Sequence, residues 1–187
     1  MITFIATAYK EKEQCFSFIS SLLCQTDSRW KCIIYCDEYN SYIEYACSIF
    51  NDSRIEIVYN EIASGFWGHN NRKYALDNLV DSEFIIQTSI QDYFIPITVN
   101  EILSVKDQYD FIYYESLHNH KNYDILNCIP IVNNIDWGNF AIRTNIAKKV
   151  GIHNIESSTC DGLFVESCMK YPFLRVHKIN KILTIHN

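Results

Sequence analysis

Three aspartates and one arginine stand where side chains could meet a ligand. Asp92 closes the advance of the stretch FIIQTSIQDYFIP, in which the apolar run Phe84 to Ile86 leads out through Gln87, Thr88, Ser89, Ile90 and Gln91 to a carboxylate. Asp37 ends a second apolar run, KCIIYC. Asp161 stands in STCDGLFVE near a predicted helix start, with Glu166 five residues on. Arg72, with Lys73 beside it, follows a loop holding Gly65, Trp67 and Gly68 and opens the helical stretch NNRKYALDNLV. Each of these residues also has an ordinary structural use. The aspartates could cap the turn or helix that follows, and Arg72 could pair on the surface with Asp77 or Asp81. A guanidinium placed at a helix start after a glycine-containing loop equally suits phosphate or ribose oxygens.

The elements that must position these groups follow from hydrophobic period. Ile2 to Tyr9 reads as a buried strand, and the segment after it carries Phe16, Ile19, Leu22 and Leu23 at helical spacing. A strand ending at Asp37 follows, then a helix in SYIEYACSIF, then a strand alternating Ile55, Ile57 and Tyr59. A helix at NNRKYALDNLV and a strand at EFIIQTSIQD complete the first half. Strands alternating with helices call for a parallel sheet covered on both faces. Ligands of such sheets bind outside the carboxyl ends of the strands. The polar residues at those ends are Thr7 and Tyr9, Asp37, Asn60 and Glu61, and Gln91 and Asp92. The second half is less regular. It reads as a strand in YDFIYYESLHNH, a short strand around Phe140 to Ile142, a helix closed by Gly151, a helix holding Asp161 and a terminal strand in RVHKINKILTIHN.

The 187 residues predict one domain, 1–187, with a full core. A net charge of −6 argues against a sequence-independent grip on nucleic acid. No apolar run reaches the roughly 18–20 residues of a membrane span, and the first residues lack the build of a signal peptide, so a cytoplasmic location is expected. The eight cysteines show neither CxxC pairs nor zinc-ligand spacing and read as free thiols.

The order of these features resembles the family-2-like glycosyltransferases of the GT-A fold. ITFIATAYKEKEQCFSFISSLLCQT is similar to that family's opening strand, Thr-x-Tyr turn and helix ending in Gln-Thr. WKCIIYCDEYN, GHNNRKYALDNL and EFIIQTSIQDYFIP match its strand ending in Asp, its Arg-containing helix start and its metal-motif strand. WGNFAIRTNIAKKVGI and CDGLFVESC fall where the family has its acceptor-side segment and its catalytic-base helix. The family typically carries Asp where this chain has Ser89 and Gln91, so Asp92 alone remains of the acidic cluster.

The resemblance implies a single GT-A-like (Rossmann-like) α/β domain with a central, mostly parallel mixed sheet flanked by helices. It implies transfer of a sugar from a nucleotide-diphosphate sugar to a glycan or other hydroxyl acceptor, with inversion, in polysaccharide biosynthesis. Thr7, Tyr9, Asp37, Arg72, Gln91 and Asp92 would hold the donor, and Asp161 would be the general base. Asp92, with His186 from the terminal LTIHN, would hold Mn²⁺ or Mg²⁺. His69 and Asn70 are weaker loop candidates. Trp137 would stack on the acceptor sugar or anchor a loop, Trp67 is a lesser candidate, and His118 and His120 read as solvated. A second copy or a partner subunit could complete the acceptor site. Two rivals stand beside this reading. A nucleotidyltransferase would need a glycine-rich phosphate loop where the chain has IATAYKEKEQ. A catalytically silent domain binding a nucleotide, a glycan or a protein partner is favoured by Ser89 and Gln91.

Overall fold

The computed structural model describes residues 1–9, 13–60 and 65–187; the side chain of His120 is also outside the description. The expectations for Glu61, for the start of the first helix at Lys10 to Lys12, and for the His120 ring therefore fall outside the described residues.

Strand β1 (Ile2–Ala8) is buried along its whole length because both of its faces are covered. Phe4, Ala6 and Ala8 enter one core and Ile5 the other, which is the two-residue period of a strand. Strand β2 (Trp30–Cys36) divides likewise, with Cys32, Ile34 and Cys36 on the first face and Ile33 and Tyr35 on the second. Helices α1 (Gln14–Leu23), α2 (Ser41–Phe50) and α4 (Thr98–Val105) cover the first face. Helices α3 (His69–Asn78), α5 (Thr144–Val150) and α6 (Cys160–Met169) cover the second. Asn40 starts α2 by accepting the Tyr42 and Ile43 amides, a cap worth about 1 kcal/mol.

The remaining strands are β3 (Ile55–Tyr59), β4 (Phe84–Ser89), β5 (Tyr93–Phe94), β6 (Phe111–His118), β7 (Asp124–Leu126), β8 (Phe140–Arg143) and β9 (Val176–His186). Among the described residues they form one sheet in the order β3-β2-β1-β4-β8-β6-β9-β5, with β7 paired to β6. The pairings of β1 with β2 and β4, and of β2 with β3, are parallel, as the alternation predicts. The second half is mixed: β8 runs antiparallel to β4 and β6, while β6 and β9 lie parallel. This is the expected α/β domain, with more antiparallel pairing in its second half than the sequence period suggested.

The chain reaches Asp92 and does not enter a helix. It turns at once into β5, which pairs with the far end of β9, Tyr93 opposite Ile185 and Phe94 opposite Thr184. Helix α4 begins only at Thr98, and its N-cap is Ile97. A capping role for Asp92 is thereby removed. None of the eight cysteines is joined in a disulfide, and most are buried. Among the described residues no helix is long and apolar enough to cross a membrane.

Candidate active site

The carboxyl ends of β1, β2 and β4 open on a cleft of about 840 Å³ lined by Thr7, Ala8, Tyr9, Asp37, Gly65 to Gly68, Arg72, Ser89 and Gln91. That volume lies within the range of small-molecule sites, roughly 300–1,000 Å³. Five of the sequence-predicted donor residues, Thr7, Tyr9, Asp37, Arg72 and Gln91, share this wall. Asp92 does not line it.

Asp37 follows the last residue of β2 and is buried. Its amide donates to the Ala8 carbonyl at 2.9 Å, which carries the end of β2 against the end of β1. Asn71 Nδ2 donates to Oδ1 at 3.2 Å and the Gly65 amide to Oδ2 at 3.1 Å, so the carboxylate is oriented from two sides. Asn60 joins the same cluster by donating to Asn71 Oδ1 at 2.6 Å. Asp37 is thus held by the loop and helix across the cleft.

That loop is a run of positive φ: Gly65, Phe66, Trp67 and Gly68 at +64°, +50°, +52° and +73°. Only glycine fits at 68, since a Cβ there would stand 2.8 Å from Thr7 Cβ. Non-glycine residues at positive φ cost of order 1 kcal/mol each and persist where the surroundings demand them. Here the conformation places Phe66 and Trp67, 44% and 65% exposed, on the lip of the cleft. Arg72 secures the turn from below: Nη1 donates to the Trp67 carbonyl at 2.6 Å and Nη2 to the Thr88 carbonyl at 2.9 Å. It is buried, unlike a surface ion-pair residue; the pair with Asp77 is made by Lys73 at 2.7 Å.

Asp92 is only 3% exposed. Its Oδ2 accepts a short hydrogen bond from Thr88 Oγ1 and a second from the Ser89 amide at 3.1 Å. Its Oδ1 meets His186 Nδ1 at 2.6 Å. The His186 ring lies 4.4 Å from the ring of His118, whose Nε2 meets Asp136 Oδ2 at 2.8 Å. The pairing of β6 with β9, which sets His118 opposite His186, makes this chain of four side chains. Burial alone would lower the His186 pKa, but the hydrogen bond and charge of Asp92, with Asp136 and Asp161 beyond, raise it above its ordinary 6.5. His186 is therefore a fixed member of a polar network, not a solvated end residue. The expectation that His118 is solvated is also corrected. The alternation that buries Ile112, Tyr114 and Ser116 runs on to His118, a signal that was present in the sequence.

Asp161 is the second residue of α6, after the N-cap Thr159, so it is not the cap itself. Burial pushes its carboxyl up to about 6; the Gly162 amide, donating at 2.7 Å, opposes this, the charge of Asp136 adds to it and Arg72 opposes it. Glu166 accepts the Val132 amide at 3.1 Å and braces a loop. Trp137 is buried against Phe164 and Phe140 with the Arg72 guanidinium 5.6 Å from its ring, which corrects an acceptor-stacking role to a core one. Burial and the Arg72 charge push His69 down to about 4, which leaves it neutral near pH 7. Asn71, His118 and Asp136 were not singled out as site residues by sequence reasoning, and Asn60 was named only as a polar residue at a strand end.

No protein-family model and no curated protein matches this chain. Solved structures do. The Staphylococcus aureus protein TarS superposes with a TM-score of 0.82 at 16% identity, over 100% of this chain and 36% of TarS. A shorter form, TarS 1–349 in complex with UDP-GlcNAc, gives 0.80 at 15% identity over 98% of this chain and 57% of that one. The mannosyltransferase PcManGT of Pyrobaculum calidifontis, in complex with GDP-Man and Mn²⁺, gives 0.78 at 12% identity over 99% and 56%. The chain thus spans between about a third and three fifths of the length of these neighbours. The shared architecture is the GT-A-like glycosyltransferase fold.

Proposed function

We propose that this domain is a glycosyltransferase that takes a sugar from a nucleotide-diphosphate sugar and passes it, with inversion, to a hydroxyl of a glycan or other acceptor in polysaccharide biosynthesis. The observation that carries this reading is the cleft at the strand ends, with a doubly oriented carboxylate at one end and neutral and cationic donors at the other. Neighbours of the same fold bind UDP-GlcNAc and GDP-Man.

Asp37 is oriented by Asn71 and Gly65 and accepts a hydrogen bond from the nucleobase or ribose. Tyr9, 46% exposed, supplies a ring at the cleft wall, and Thr7 a hydroxyl. Arg72, Ser89 and Gln91 face the diphosphate and donor sugar. Asp161 is not among the residues lining the cleft but lies near enough to Arg72, which is, to feel its charge; in this reading it takes the proton of the acceptor hydroxyl, whose oxygen attacks the anomeric carbon. The bond from that carbon to the diphosphate breaks, and the nucleoside diphosphate leaves with the electron pair. A base with a pKa near 6 is ionised at neutral pH and still basic enough to accept a proton in the transition state. A partner subunit or a second copy supplies further acceptor contacts in this reading.

The expected Mn²⁺ or Mg²⁺ at Asp92 and His186 does not fit the side chains present, because Asp92 is 3% exposed, its Oδ2 is filled by the Thr88 hydroxyl and the Ser89 amide, and it is not among the residues that line the cleft. No step is therefore assigned to a metal. A second reading, a silent nucleotide- or glycan-binding domain, is favoured by neutral Ser89 and Gln91 at the end of β4. Incubation with a panel of nucleotide sugars and glycan acceptors separates the two. Release of nucleoside diphosphate that is lost in Asp161→Asn, with donor binding kept, supports transfer. Binding without turnover across the panel supports the silent domain.

A further inference from the structure

We infer that the cleft binds its nucleotide without a resident divalent cation, because Asp92 is committed to a buried strut with His186 while Ser89 and Gln91 occupy the cleft wall in front of it. The inference rests on the nucleotide-sugar reading above and deepens it.

A Mg²⁺ or Mn²⁺ ion that serves substrate phosphates is held by one or two protein carboxylates. The end of β4 offers the cleft a hydroxyl and an amide. Asp92, the carboxylate beside them, is 3% exposed and turned inward. A cation on Oδ2, which already accepts from the Thr88 hydroxyl and the Ser89 amide, would displace one of them, and one on Oδ1 would have to share that oxygen with the His186 ring inside a site that is 3% exposed. Each displaced group would lose a charge-assisted partner in a buried setting, where an unmade hydrogen bond is costly. There is no slack behind the carboxylate either: a Cβ at Gly138 would stand 3.0 Å from Oδ2.

His186 is equally committed. Its ring is held between the Asp92 carboxylate and the His118 ring, and His118 is held by Asp136. The strut joins the turn after β4 to the ends of β6 and β9, so its role is to fix the backbone that presents Ser89 and Gln91. The other carboxylate of the cleft, Asp37, stands at the end of β2, oriented by Asn71 and Gly65 toward the nucleoside in the reading above, and not beside Ser89 and Gln91 at the end of β4. Among the described residues no group of three His, Cys, Asp or Glu side chains is arranged to hold a metal ion. Diphosphate charge is met instead by the positive charge of the Arg72 guanidinium in the cleft wall, which stays while its Nη groups hold the Trp67 and Thr88 carbonyls, and by hydrogen-bond donors from Ser89 and Gln91.

The test is calorimetric titration of UDP, GDP and their sugar conjugates into the protein, once in EDTA and once in saturating Mn²⁺, with Mn²⁺ titrated alone into nucleotide-free protein and followed by electron paramagnetic resonance of the free ion. The expected result is a nucleotide Kd that changes by less than about twofold between the two media, with no Mn²⁺ bound by the protein alone. In the double variant Ser89→Asp/Gln91→Asp, Mn²⁺ is expected to tighten nucleotide binding by about tenfold or more. The same tightening in the unaltered protein overturns the inference, as does a stoichiometric Mn²⁺ site in nucleotide-free protein. Absence of binding by every nucleotide in both media overturns the donor-cleft reading instead, and the titration of Mn²⁺ alone still decides the inference.

Discussion

His186 Nδ1 lies 2.6 Å from Asp92 Oδ1 across 94 residues of sequence, and the contact joins the last strand of the sheet to the turn that presents Ser89 and Gln91. The carboxylate is buried while the imidazole is about a quarter exposed, so the pair sits at the edge of the core with its negative member inside. This relationship sets the first of four expectations.

Replacing Asp92 with Ala removes the acceptor of the Thr88 hydroxyl, the Ser89 amide and the His186 ring together. Breaking a buried pair from one side costs about 3 kcal/mol or more, to be read by urea denaturation. The pH dependence has a fixed sign. The folded pKa of His186 is raised, so its stabilising contribution is fully present below 6.5 and is lost as pH rises through the higher folded value. Stability measured across that interval should fall in the parent protein and stay flatter in His186→Ala. A parent curve that rises with pH there would contradict the assignment.

Asp161 carries the opposite kind of cost. Its carboxyl is pushed up to about 6 from 3.8, so folding penalises the ionised form, and the penalty grows as pH rises through that window. Asp161→Asn should raise stability at pH 7 by about 1–2 kcal/mol, below the full value of the shift because the group keeps some contact with solvent. The same change should abolish transfer. In the parent protein the transfer rate should fall as pH drops through about 6. Thermal melts and a pH–rate profile check both halves.

Asp37→Ala should weaken nucleotide binding by about ten- to a hundredfold, the value of one hydrogen bond to a charged group. Asn71→Ala removes only one of the groups orienting the carboxylate and should cost less. Calorimetry ranks the two. Equal losses would mean that Asp37 is a brace for the Gly65–Gly68 loop and does not touch the ligand.

Trp67 should report occupancy of the cleft. Trp30 and Trp137 are buried, whereas Trp67 is 65% exposed on the cleft lip. Nucleotide binding should change tryptophan fluorescence in the parent protein and leave it unchanged in Trp67→Phe, with little effect on stability because the side chain is exposed. A signal that survives in Trp67→Phe would place the change at a buried ring.

Much of the framework was legible in the chain itself. The helix at Ser41 to Phe50 and the strands ending near Asp37 and Asp92 follow from local period, which needs only neighbouring residues. Strand alternation with helices fixed the parallel first half, and the rule that ligands meet strand ends brought Thr7, Tyr9, Asp37 and Gln91 to one cleft. Arg72 was found as a position, but its bonds to the Trp67 and Thr88 carbonyls were not, because they depend on a left-handed turn that composition does not encode.

What the sequence determined by itself, then, was which residues stand at the strand ends. What only the tertiary structure decided was the direction in which they face. Asp92 and Gln91 are adjacent in sequence, yet one turns into the protein and the other lines the cleft. The difference arises because β5 pairs with β9 and β9 with β6, which delivers His186 and His118 to the inner side of that turn. A carboxylate turns toward the donors that will satisfy it, and for Asp92 two of the three lie within four residues while the third is 94 residues away.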